Sequence, residues 1–139
     1  MCQIFVCSLW GATALLLSVG CGPGQESDSS SPEQEVRRQN GHLLTGRGLL
    51  FLQQGRPTRA LTVFKEAQQL IPEAPEPYFN MVLAYSRLGR HAEAIEAFEL
   101  ARALGPANAT QFFALGLSLR AQDRDQEAAG EFRKAIDLA

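Results

Sequence analysis

Apolar side chains in residues 41–139 recur at intervals of three and four, the spacing that lines one face of an α-helix. Tyr78, Met81 and Tyr85 make one such stripe, closed by Leu88-Gly89. Ala94, Ile95, Phe98, Ala101 and Leu104 make the next, stopped at Gly105-Pro106 because proline cannot extend a helical hydrogen-bond ladder. The stripes themselves repeat: Ala60, Ala94 and Ala128 lie 34 residues apart, and each is followed four residues on by Phe64, Phe98 or Phe132 and seven on by Ala67, Ala101 or Ala135. One unit of two amphipathic helices is therefore used three times, over 41–74, 75–108 and 109–139. Its alanines are small where helix backbones cross closely, and its phenylalanine fills the groove between one pair and the next. The predicted fold is an all-α solenoid of three helix pairs, an architecture that presents a surface and rarely performs chemistry.

The first 21 residues follow another pattern. An apolar run from Ile4 to Val19 is broken only by Cys7, Ser8, Gly11, Thr13 and Ser18, and no charge precedes Glu26. The run is shorter than the ~20 residues that cross a bilayer as a helix, and it reads as an export signal over 1–20. Its ending, Leu17-Ser18-Val19-Gly20-Cys21, resembles the bacterial lipobox, in which the cysteine becomes the lipidated first residue of the mature protein. Cys2 and Cys7 fall within the segment removed, so Cys21 is the one mature cysteine and no intramolecular disulfide is available. An ordinary cleaved signal and an uncleaved anchor are the alternative readings. Residues 21–40 then read as a tether, with Gly22-Pro23-Gly24 and Ser29-Ser30-Ser31-Pro32 offering nothing large and apolar to nucleate a core. Ser31, Pro32 and Gln34 supply a cap, a first-turn proline and a capping-box partner, which predicts a helix start near Pro32.

The units resemble the tetratricopeptide repeat. Counting each from Gly41, Pro75 and Ala109, the aromatic-or-leucine slot at position 4 is Leu44, Tyr78 and Phe112, and position 11 is Phe51, Tyr85 and Leu119. The small residue at position 8 is Gly48 and Gly116, with Val82 departing from it, a change expected to splay the second pair slightly. The turn glycine is Gly55 and Gly89, replaced by Asp123, a residue that also reaches the left-handed region. Arg47 stands where the other units carry Met81 and Leu115, so its head must reach solvent along its aliphatic stem. The resemblance implies that the first helix of each unit lines a concave groove. Ligand-facing candidates carried over on that basis are Leu49, Leu52, Gln53, Phe79, Asn80, Leu83, Arg87, Phe113, Leu117 and Arg120. Leu49, Leu52, Phe79, Leu83, Phe113 and Leu117 would form an apolar strip open to solvent, unless some of them thicken the packing between helices instead. The family's clamp for a C-terminal carboxylate is matched only by Asn80, so that ligand class is not expected.

Charge and chemistry narrow the picture further. The chain carries 13 Lys and Arg against 15 Asp and Glu, and no basic stripe with interleaved aromatics suggests nucleic acid. His42 and His91 lack a nucleophile partner, Glu93, Glu96 and Glu99 beside Arg90 and Arg102 read as a solvated helix face, and neither metal-ligand spacing nor a phosphate loop occurs. No enzyme activity, cofactor or metal is expected. The expected function is a lipid-anchored interaction adaptor or assembly scaffold of the bacterial envelope, taking a peptide or helix in its groove. Gly22 after the cysteine points to the outer membrane, facing the periplasm. An accessory or regulatory subunit of an envelope enzyme such as a cell-wall hydrolase is the alternative. On the last helix, Phe132, Ile136 and Leu138 form an apolar face for which a homodimer is expected.

Overall fold

A computed structural model describes residues 31–139. The export signal, Cys21 and the tether as far as Ser30 lie outside the described residues. Six helices follow in order: α1 (Pro32–Gln53), α2 (Pro57–Leu70), α3 (Pro75–Arg87), α4 (His91–Leu104), α5 (Ala109–Arg120) and α6 (Asp125–Asp137). They pair as the 34-residue period requires, and among the described residues there is no strand.

Each helix boundary has a local cause. Ser31 caps α1: its side chain accepts from the Gln34 N–H while the Gln34 side chain accepts from the Ser31 N–H, and Glu33 and Glu35 sit at the positive end of the helix. No breaker follows, so α1 starts at Pro32 as the cap predicts, and residues 32–40, tether-like in composition, are the opening turns of a 22-residue helix. Pro57 and Pro75 occupy the first helical positions of α2 and α3, where a missing N–H costs nothing. Asn108 and Gln111 form a second capping box at the start of α5. The turns inside the units pass through the left-handed region at Gly55 (φ 69°), Gly89 (φ 71°) and Asp123 (φ 59°), so aspartate does take the glycine's place in the third unit.

The repeated small residues set the closeness of the pairs. A Cβ added at Gly48 would collide with the Phe64 ring, and one at Gly116 with the Phe132 ring, so each glycine is the floor on which its unit's phenylalanine lies. In the second unit Val82 occupies that floor, fully buried, and Phe98 is fully buried beside it with its ring 5.7 Å from Phe79 and 5.5 Å from Phe112. Arg47 is exposed, its guanidinium 5.7 Å from the Phe51 ring, so the charge does leave the core along its stem. Buried hydroxyls are satisfied within their own helices, Thr45 donating to the Gly41 carbonyl and Ser118 to that of Ala114.

Candidate functional site

Which face is concave follows from the contacts. α1 meets α3 and α3 meets α5, while α2, α4 and α6 do not touch one another. The first helices of the units are thus drawn together on the inside of the curve and the second helices splay outside it, which makes α1, α3 and α5 the inner lining.

Position 9 of each unit places a leucine on that lining. Leu49 is 38% exposed, and Leu83 and Leu117 are half-buried with their outer edges open. The three make a row across the inner helices, with half-buried Asn80 between Leu49 and Leu83 in the unit plan and exposed Gln53, Arg87 and Arg120 along the end of the row. The Arg87 guanidinium also donates to the Leu52 carbonyl at the last turn of α1, an oxygen that accepts from the Gly55 N–H as well, and this contact fixes the arginine. Such a surface offers apolar contact along its middle and hydrogen-bond donors at one edge. Among the described residues no group of three or more His, Cys, Asp or Glu is placed to hold a metal, and no helix is long and apolar enough to cross a membrane.

Two residues expected on the open strip are instead core. Leu52 is buried, and Phe79 is only 2% exposed with its ring edge-on to Phe98. The reason is visible at position 5, where Thr45 and Phe79 are both covered, whereas Phe113 is 51% exposed. α3 lies after α1 and α5 after α3, so each inner helix covers the preceding unit's position 5. Among the described residues no further inner helix follows α5. Phe113 therefore leaves the groove and joins Phe132, Ala135 and Ile136 around a depression of about 580 Å³ on the last face of the solenoid. Ile136 is exposed there, Leu138 is exposed at the C-cap of α6, and Phe132 is half-buried against Phe113, their centroids 5.5 Å apart.

The geometry has known counterparts. The tetratricopeptide repeat profile matches residues 51–122. "Tetratricopeptide repeat protein 36" of Homo sapiens is 30% identical over 129 residues, covering 86% of this chain and 68% of the relative. Among solved structures, the second TPR of Spaghetti (RPAP3), bound to the HSP90 peptide SRMEEVD, superposes with a TM-score of 0.70 at 20% identity, over 77% of this chain and 98% of that one. YrrB, described as a TPR protein with an unusual peptide-binding site, gives 0.66 at 23% identity over 76% and 55%. The 34-residue period, the six paired helices, the glycine floors under the phenylalanines and these matches have one source: the chain belongs to the tetratricopeptide repeat family.

Proposed function

We propose that this protein is a non-catalytic protein-interaction adaptor that takes an extended peptide or amphipathic helix along its inner face. The observation that carries the reading is the row of Leu49, Leu83 and Leu117, which leaves apolar surface open on the concave lining beside the half-buried Asn80 amide and the Arg87 guanidinium held on the Leu52 carbonyl. The peptide held by the second TPR of Spaghetti is consistent with this use of the fold. We further propose that Cys21 carries a lipid and holds the adaptor at the bacterial outer membrane, facing the periplasm, as a scaffold for an envelope assembly. The support is the sequence Leu17-Ser18-Val19-Gly20-Cys21 after an uncharged apolar run.

Crosslinking and affinity capture from intact envelopes tests both parts. Wild type should recover a defined partner from the membrane fraction. Leu49→Glu, at an exposed position, should lose that partner while keeping its helical content. Cys21→Ser should leave the membrane fraction or persist as precursor. Partner capture unchanged by Leu49→Glu overturns the groove, and a processed, membrane-bound Cys21→Ser overturns the lipid anchor.

A further inference from the structure

Among the described residues the solenoid presents two outer faces, on α1 and on α5 and α6, and each is the counterpart of a face buried inside it. At unit positions 3 and 10, α3 buries Pro77 and Ala84, and α5 buries Ser118, against the pair that precedes each helix. The same positions of α1 are Leu43, 71% exposed, and Leu50, 56% exposed. With Arg47 and Gly46 between them they line an open depression of about 810 Å³. At the other end, Phe113 is uncovered where its repeat mate Phe79 lies under the next inner helix, and Ile136 is 74% exposed. Ile136 is the repeat mate of Gln68, which sits with Met81 of the following unit around one depression.

The two faces also differ from the internal junctions in opposite senses. α1 carries Leu50 where α3 and α5 carry Ala84 and Ser118, so its free face has gained bulk. α6 carries Ala129, exposed, where α2 and α4 pack Leu61 and Ile95, so its face has lost bulk. The larger residue on the α1 face and the smaller one on the α6 face compensate each other in volume, as close packing across a contact requires.

We propose that the occupant of the α6 face is α1 of a second copy of this chain, docked head to tail so that the contact repeats the α4–α5 and α3–α5 junctions. In this arrangement Phe113 is covered as Phe79 is, and Ile136 lies over the aliphatic stem of Arg47 with Leu43 and Leu50 on either side. The contact is heterologous: each copy uses a different face, so both ends of a pair stay open and the stack grows with concentration. A two-fold pairing of α6 with α6 would instead leave the bulk on α1 unmatched.

The test uses the full chain in mild detergent micelles, with mass measured by light scattering and sedimentation. Wild type should rise beyond two copies as concentration increases. Leu50→Glu and Ile136→Glu, both at exposed positions, should each remain a single copy with unchanged circular dichroism, because each has lost one of the two faces. Mixed in equal amounts, they should form a species of twice the single-copy mass and nothing larger, joining the intact α6 of one to the intact α1 of the other. Pairing by Leu50→Glu alone would show an α6–α6 contact and overturn the proposal. A wild type that stays single, or a mixture that does, overturns it as well.

Discussion

At the scale of single residues, the decisive distinction is between rings that look alike in the sequence. Phe79 and Phe113 occupy the same unit position, yet the first is buried edge-on to Phe98 and the second is half in solvent. Truncating a buried phenylalanine removes its transfer free energy and leaves a cavity, at about 3–5 kcal/mol. Phe79→Ala should therefore lower the urea midpoint severely, whereas Phe113→Ala should cost about 1 kcal/mol, the order of one aromatic pair with Phe132. Equal losses in the two variants would mean that the third unit is covered as fully as the second. The residue types were legible from the period alone, and so was the left-handed Asp123, because that slot's backbone demand is local. The burial of Phe79 was not, since only the neighbouring unit decides how much of position 5 stays wet, and Leu52 at position 12 is likewise covered by packing that one unit's pattern does not show.

At the scale of the helix, the repeat is less uniform than its core suggests. α4 and α6 each begin with an arginine at the N-cap and a glutamate three residues on, Arg90–Glu93 and Arg124–Glu127, both with N···O distances of 2.7 Å. The arginine hydrogen bond in each pair holds the carboxyl of Glu93 or Glu127 below the usual carboxylate range. The helix N-terminus favours the same negative charge. α2 has Arg56 and Arg59 in the equivalent places and no acid in its first turn. Arg59→Glu should thus raise the thermal midpoint by a small amount, since the pair is exposed and screened by solvent. A carboxyl with a depressed folded pKa contributes stability above its unfolded pKa and loses it as pH falls through the folded value. The rise should therefore be present at neutral pH and vanish in acid below the ordinary glutamate range. A midpoint unchanged or lowered at pH 7 would remove the pair from the account. The starts of α1 and α5 show what patterning does and does not disclose: Ser31-Pro32-x-Gln34 was readable as a cap, and Asn108-x-x-Gln111 carries the same signal. The polar composition of residues 32–40 resembles a tether, and only the cap at Ser31 disclosed that the helix begins there.

At the scale of the whole molecule, connectivity decides how stability is distributed. Helices of the first unit meet those of the second, and helices of the second meet those of the third, but no helix of the first touches one of the third. The body is thus a one-dimensional array, in which each unit is held by its own packing and by one or two neighbours. The middle unit has both. Val82, Ala84, Ala94, Phe98 and Ala101 in α3 and α4 are all fully buried, whereas α6 buries only Ala128 and Ala135. Local opening follows contact density, with exposed, sparsely packed segments opening far below the global free energy. Native-state amide exchange should accordingly be slowest in α3 and α4 and at least roughly tenfold faster in α6, with the opening turns of α1 before Gly41 also fast. A second copy seated on the α6 face would slow α6 and α1 together as concentration rises and leave α3 and α4 unchanged. Uniform exchange across all six helices in dilute protein would instead mean that the array opens as a single cooperative unit, and that its end faces carry more stability than their burial provides.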